Sequence, residues 1–180
     1  GPGAAAYSHY SAKSENRQEV IVGGTDVGAI NDLTGDRIWL GYKFAMGLKL
    51  GFAYDWSSND NGAAAAVGTT KQKRGAWYLP VSYSWGPHAV YASYARAGDT
   101  SNSAAIDTGA SAWNLGYDYA FSKRTSMGIF YTQLNNKTGG NYNLKSLGGS
   151  GATAIGSGAA GTTGLGADAR QWYIGMTHSF

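Results

Sequence analysis

An all-β fold, a transmembrane antiparallel up-and-down β-barrel, is predicted by three observations on this 180-residue chain. Apolar and polar residues alternate with period two over stretches of roughly ten residues, the signature of strands with one face in an apolar medium. Tight turns and long polar loops alternate along the chain. Aromatic residues gather at both ends of the predicted strands. Composition agrees: 43% of residues are hydrophobic and only 14% are charged, against roughly 25% charged in a soluble domain. A mean hydropathy of −0.30 is too polar for a bundle of spanning helices. No run approaches the ~18 consecutive apolar residues that one such helix needs.

Eight strands are expected, and no segment has the helical period. The first covers residues 4–12 and the second 36–44. The third is the clearest: Leu48, Leu50, Phe52, Tyr54 and Trp56 alternate with Lys49, Gly51, Ala53, Asp55 and Ser57. The fourth sets Trp77, Leu79, Val81, Tyr83 and Trp85 against Ala76, Tyr78, Pro80, Ser82 and Ser84. Pro80 is out of place there, because it removes a ladder donor from what reads as an interior strand. Residues 88–98 and 126–135 carry aromatics on both faces, so their phase stays ambiguous. Between them Trp113, Leu115, Tyr117, Tyr119 and Phe121 alternate with Asn114, Gly116, Asp118 and Ala120. The last strand sets Trp172, Ile174, Met176, His178 and Phe180 against Gln171, Tyr173, Gly175, Thr177 and Ser179.

Tight turns fall at Ala45-Met46-Gly47, Gly86-Pro87-His88 and Ser122-Lys123-Arg124. Residues 13–35, 58–73, 99–110 and 136–168 are long and rich in Gly, Asn, Ser and Thr. All long loops therefore lie at one end of the sheet, the pattern of outer-membrane barrels with short periplasmic turns and long external loops. Phe44, Tyr83, Trp85, Tyr119, Phe121 and Phe180 fall beside the short turns, and Tyr54, Trp56, Trp77, Trp113 and Trp172 at the opposite ends. Two aromatic rings flanking an aliphatic middle match two membrane–water interfaces. An open sheet edge is not tolerated in lipid, so the functional unit is a closed barrel.

The closing segment from Arg170 to Phe180 resembles the last strand of Gram-negative general porins. A terminal Phe preceded by apolar or aromatic residues at alternate positions (Trp172, Ile174, Met176 and His178 here) is similar to the signal those proteins present to the barrel-assembly machinery. Trp85-Gly86-Pro87 and the stretch Tyr117 to Thr125 resemble the same family, in its β-proteobacterial form. The resemblance covers nearly the whole chain but only the C-terminal half of such a porin. It implies a trimer of barrels of about sixteen strands, in which residues 1–180 form a single barrel segment. Gly1-Pro2-Gly3 echoes Gly86-Pro87-His88, so residue 1 reads as part of a periplasmic turn. Residues 1–10 lack the basic start and apolar stretch of an export signal.

On the polar phase Arg37, Lys43, Lys49, Asp55 and Asp118 are the candidate pore-lining residues. In a wide barrel they face water and act on permeating ions and small solutes through a field focused by low-dielectric walls. The alternative is an ion-pair network filling the narrow interior of a complete eight-stranded barrel with a structural or adhesive role. Trp39 shares this phase unexpectedly.

No enzyme is expected. His9, His88 and His178 have no Ser and Asp at hand for a nucleophile–base arrangement, and no acid–base pair stands out. No cofactor or metal is expected, and without cysteine there is no thiolate site. The net charge of +3 is scattered, and the one dense basic cluster, Lys71, Lys73 and Arg74, reads as a solvated loop rather than a nucleic-acid surface. The remaining partners are outer-membrane lipid and further copies of the protein. Gly156 to Gly161 matches a dinucleotide fingerprint only formally, since it follows no strand and opens no helix. Asn136-Lys137-Thr138 is a glycosylation sequon by pattern alone. The long Gly-rich loop that follows is suited to surface recognition, with no ligand indicated.

Overall fold

Period-two patterning becomes one meandering sheet. The structure, a computed structural model, describes residues 1–12, 21–22, 25–26, 30–62, 71–103, 106–145, 154–155 and 165–180. Its long strands are β1 (Gly3–Ala12), β2 (Ile30–Lys43), β3 (Leu48–Gly62), β4 (Gln72–Trp85), β5 (His88–Ala97), β6 (Ala110–Ser122), β7 (Thr125–Asn136) and β8 (Ala169–His178). Each pairs antiparallel with the next in sequence. β1 and β8 end the order, with no ladder joining them. Two-residue ladders in the long loops join Ile21–Val22 to Thr25–Asp26 and Leu144–Lys145 to Ala154–Ile155.

Several strands run further than expected. β2 begins at Ile30, β3 continues to Gly62, and β4 starts at Gln72. Their polar ends lack the alternation of the spanning parts, so periodicity does not reveal them. The tight turns fall where expected. Gly47 has φ 89° and its amide donates to the Phe44 carbonyl at 3.2 Å. Gly86 has φ 52° and precedes Pro87, the II′ pattern that suits the twist of a hairpin. His88 is a correction: it does not lie in the turn but opens β5.

The register settles the two faces. Tyr42, Leu50, Val81, Ala92, Leu115, Tyr131 and Trp172 form one continuous row of partners on the outer face. Leu40, Leu50, Leu79, Leu115, Ile129, Ile174 and Met176 are all exposed on that face. The buried apolar side chains among the described residues, Ala53, Ala110, Leu134 and Ala169, lie on the opposite, inner phase. A sheet whose exposed side is aliphatic and whose sheltered side is small and polar is inverted relative to a water-soluble sandwich. No helix in the described chain is long and apolar enough to cross a membrane, which does not bear on crossing by strands.

Outer aromatics form two belts. Near the short turns Tyr83 stacks on Trp85 at 5.3 Å and Trp85 on His88 at 5.2 Å, and Tyr119 meets Phe121 edge-on at 5.0 Å. At the other end Trp77 meets Tyr94 at 5.2 Å, and Tyr131 lies 5.0 Å from Trp113 and 4.6 Å from Trp172. Centroid separations of this order suit favourable ring pairs.

Candidate pore wall

The inner face is built in rows that cross the strands. One row runs Lys43, Lys49, Ser82, Tyr91, Gly116, Phe130, Tyr173. Its aromatic rings are accommodated by missing side chains. A Cβ on Gly116 would overlap the Phe130 ring, one on Gly128 would come within 2.8 Å of it, and one on Gly175 would overlap Tyr173. These rings therefore lie along the wall, over glycines. Trp39 does the same over Gly41, which accounts for an aromatic on the polar phase. Pro80 receives a similar account. Its ring occupies the space beside Gly51, where a Cβ would approach Pro80 Cγ to 2.7 Å. The β3–β4 ladder is interrupted between Leu50↔Val81 and Ala53↔Tyr78, at the place where proline has no donor to offer.

All five candidate pore-lining residues lie on the inner phase. Arg37 and Asp55 are direct partners, and the guanidinium donates to Asp55 Oδ2 through Nε at 3.1 Å and Nη2 at 2.9 Å. Lys43 and Lys49 are also direct partners, a like-charge pair with no ion-pair partner among the described residues. Asp118 stands apart, nearer the short turns, opposite Gly128. The five residues are not a single cluster: they divide into a neutral pair, two opposed cations and one isolated carboxylate.

Two further inner-face residues escape the sequence reading. Arg74 was expected in a solvated loop, and the structure corrects this. Because β4 starts at Gln72, Arg74 enters the sheet on the inner phase. Its Nη1 donates to the Tyr142 hydroxyl at 2.6 Å, with the guanidinium carbon 5.3 Å from that ring's centroid. Tyr142 comes from the segment after β7, which turns inward and packs against Ala110, Leu134 and Ala169. Asn136 brackets it. The Asn136 side-chain amide donates to the carbonyls of Tyr142 at 3.0 Å and Ala167 at 2.6 Å and accepts from the Tyr142 amide at 3.0 Å. The formal sequon residue is thus engaged in holding the loop. The inner phase of an extended β4 was the available signal for Arg74; nothing in the sequence signals Tyr142.

External loops are tied to one another. Lys137 Nζ donates to Asp99 Oδ2 at 2.6 Å, the Gly109 amide donates to Asp99 Oδ1 at 2.8 Å, and the Gly139 amide donates to the Asp107 carbonyl at 3.0 Å. Lys137, followed by Gly109, holds the Asp99 carboxyl below its ordinary pKa. The formal dinucleotide match at 156–161 lies outside the described residues.

Trp172, Ile174, Met176 and Phe180 share the outer phase of β8 and its end, all exposed. His178 joins them, 2.9 Å from Thr125 Oγ1 and edge-on to Phe180 at 4.8 Å. The histidines are spread over the outer face: His9 lies 2.7 Å from Asp36 and His88 2.7 Å from the Tyr117 hydroxyl.

Comparisons with known proteins agree with this architecture. Among solved structures, an anion-selective porin from Comamonas acidovorans superposes on all of the chain with a TM-score of 0.70 and 23% identity. The chain covers 46% of that porin, so it spans about half its length. Comparison with curated protein sequences gives no match. The family model for Gram-negative porins matches residues 3–140. With most of its length matched and its apolar face turned outward, the chain belongs to the Gram-negative porin family of the bacterial outer membrane.

Proposed function

We propose that residues 1–180 form a single barrel segment, half the wall of a water-filled porin through which small hydrophilic solutes and ions diffuse passively. The carrying observation is the division of one eight-stranded sheet into an aliphatic outer face and a polar inner face that bears charge. Support comes from the terminal strands. β1 and β8 do not pair with each other, and lipid does not tolerate unpaired edges. Pairing of both edges with further strands gives a barrel of about sixteen, wide enough for water, whereas eight strands leave an interior that side chains fill. A complete eight-stranded barrel would need a β1–β8 ladder.

Arg37, Lys43, Lys49, Asp55 and Asp118 act as wall charges on permeating ions, and Arg74 joins them. Trp172, Ile174, Met176, His178 and Phe180 act outward, as the segment read by the barrel-assembly machinery. The assembly is a homotrimer in outer-membrane lipid. It is a channel and not an enzyme, and it needs no cofactor. The test is conductance of the native protein in a planar bilayer. Stepwise, ohmic current increments in potassium chloride are expected; a bilayer that stays silent despite incorporated protein overturns the reading.

A further inference from the structure

We propose that the inner wall carries a binding groove for aromatic carboxylates, formed by the Lys49 ammonium and the rings of Trp39, Tyr78, Tyr91 and Phe130. The proposal rests on the reading of this face as the wall of an aqueous pore. These residues line one cavity of about 340 Å³, together with Ser93 and Asn114. That volume lies within the ~300–1,000 Å³ usual for small-molecule sites.

The charge pattern selects an anion. Lys43 and Lys49 face each other as direct strand partners, an arrangement that is destabilising without a counter-charge. Neither has an ion-pair partner among the described residues. No carboxylate lines the cavity, so an organic cation would find no counter-charge there. A carboxylate accepting from Lys49 relieves the repulsion, and the Ser93 hydroxyl offers a second donor.

The rings select a planar apolar body. Phe130 lies over Gly116 and Gly128, which presses one of its faces to the wall and leaves the other towards the cavity. Tyr91 lies 5.8 Å from Phe130 at 37°, and Tyr173 continues the band 6.2 Å beyond it. Lys43, Lys49, Tyr91, Phe130 and Tyr173 share one row of strand partners, so cation and rings follow one another along the inner wall. A small inorganic anion uses only the ammonium. An aromatic carboxylate uses both parts at once.

The experiment uses the native assembly with sodium benzoate as probe and sodium acetate as control at constant ionic strength. Chloride current is recorded in planar bilayers, and binding is measured by calorimetry in detergent micelles. Benzoate is expected to lower the current saturably and to release or absorb heat on binding, whereas acetate does neither. Lys49→Gln is expected to raise the half-blocking benzoate concentration about tenfold, as loss of a charge-assisted hydrogen bond would. Tyr91→Leu is expected to move it in the same direction, each variant being read against its own chloride current. Equal responses to benzoate and acetate, or a benzoate response that neither variant changes, overturn the groove while leaving the conducting pore in place. Benzoate binding by a protein that never conducts upholds the groove and overturns the pore reading.

Discussion

Single side chains on the inner wall are placed by what their neighbours lack. Trp39, Phe130 and Tyr173 are large rings on the phase that should be small and polar, and each rests over a glycine. The wall keeps its thinness because bulk and absence of bulk are paired. At the external rim a different pairing operates, between Asp99, Lys137 and the Gly109 amide. The Asp99 carboxyl is held below its ordinary pKa by the Lys137 hydrogen bond first and the Gly109 amide second. A group whose pKa is depressed on folding stabilises the docked loops above its unfolded value, ~3.9 for Asp, and ceases to do so as pH falls through the depressed one. The Gly109 amide is therefore expected to resist hydrogen exchange at neutral pH and to lose that protection in acid, below pH ~4. Asp99→Asn should remove the pH dependence. Protection that persists unchanged to pH 2 in the native protein would show that Asp99 does not fasten these loops.

At the level of strands, alternation specifies which face meets lipid, and this is testable at mid-strand. Leu115 is 52% exposed on the outer face, whereas Asn114, its neighbour on the same strand, is half-buried on the inner face. Leu115→Arg should cost about 2–4 kcal/mol, as a cation does on a barrel exterior near the bilayer midplane. Asn114→Arg should cost much less. Urea unfolding in lipid vesicles measures both, and equal losses would contradict the assignment of faces. Gly51 is a poor control despite its inner phase, because the Pro80 ring fills the adjacent space. The central parts of the strands were legible in sequence because one face must be apolar throughout. The polar extensions of β2, β3 and β4 were not, since beyond the membrane neither face must be apolar. Arg74 was missed for that reason. The Tyr142 contact depends on a loop folding inward, which no local pattern encodes. Pro80 was visible as an anomaly, but its explanation needed the register that puts Gly51 beside it.

Across the molecule, the sum of wall charges matters less than how they are partnered. The five residues expected to line the pore carry three positive and two negative charges, a count that by itself predicts only a mild bias towards anions. In the sheet, Arg37 and Asp55 neutralise each other at 2.9 Å, and Arg74 is bound by the neutral Tyr142. On the proposed pore reading the uncompensated charges are Lys43, Lys49 and Arg74 against Asp118, so any preference for anions rests on residues other than the ion pair. Within a Debye length of ~8–10 Å an unpaired charge acts on a passing ion, while a close pair presents mainly a dipole. Replacing Lys43 and Lys49 together with Gln should therefore lower the chloride-to-potassium permeability ratio several-fold. The combined change of Arg37→Gln and Asp55→Asn should leave that ratio nearly unaltered. Reversal potentials across a potassium chloride gradient, measured on the native assembly, distinguish the two. If removal of the Arg37–Asp55 pair shifts the potential as far as removal of the lysines, the wall acts through local dipoles rather than net charge. Raised ionic strength supplies an independent check, because screening should weaken the lysine effect as the Debye length shortens.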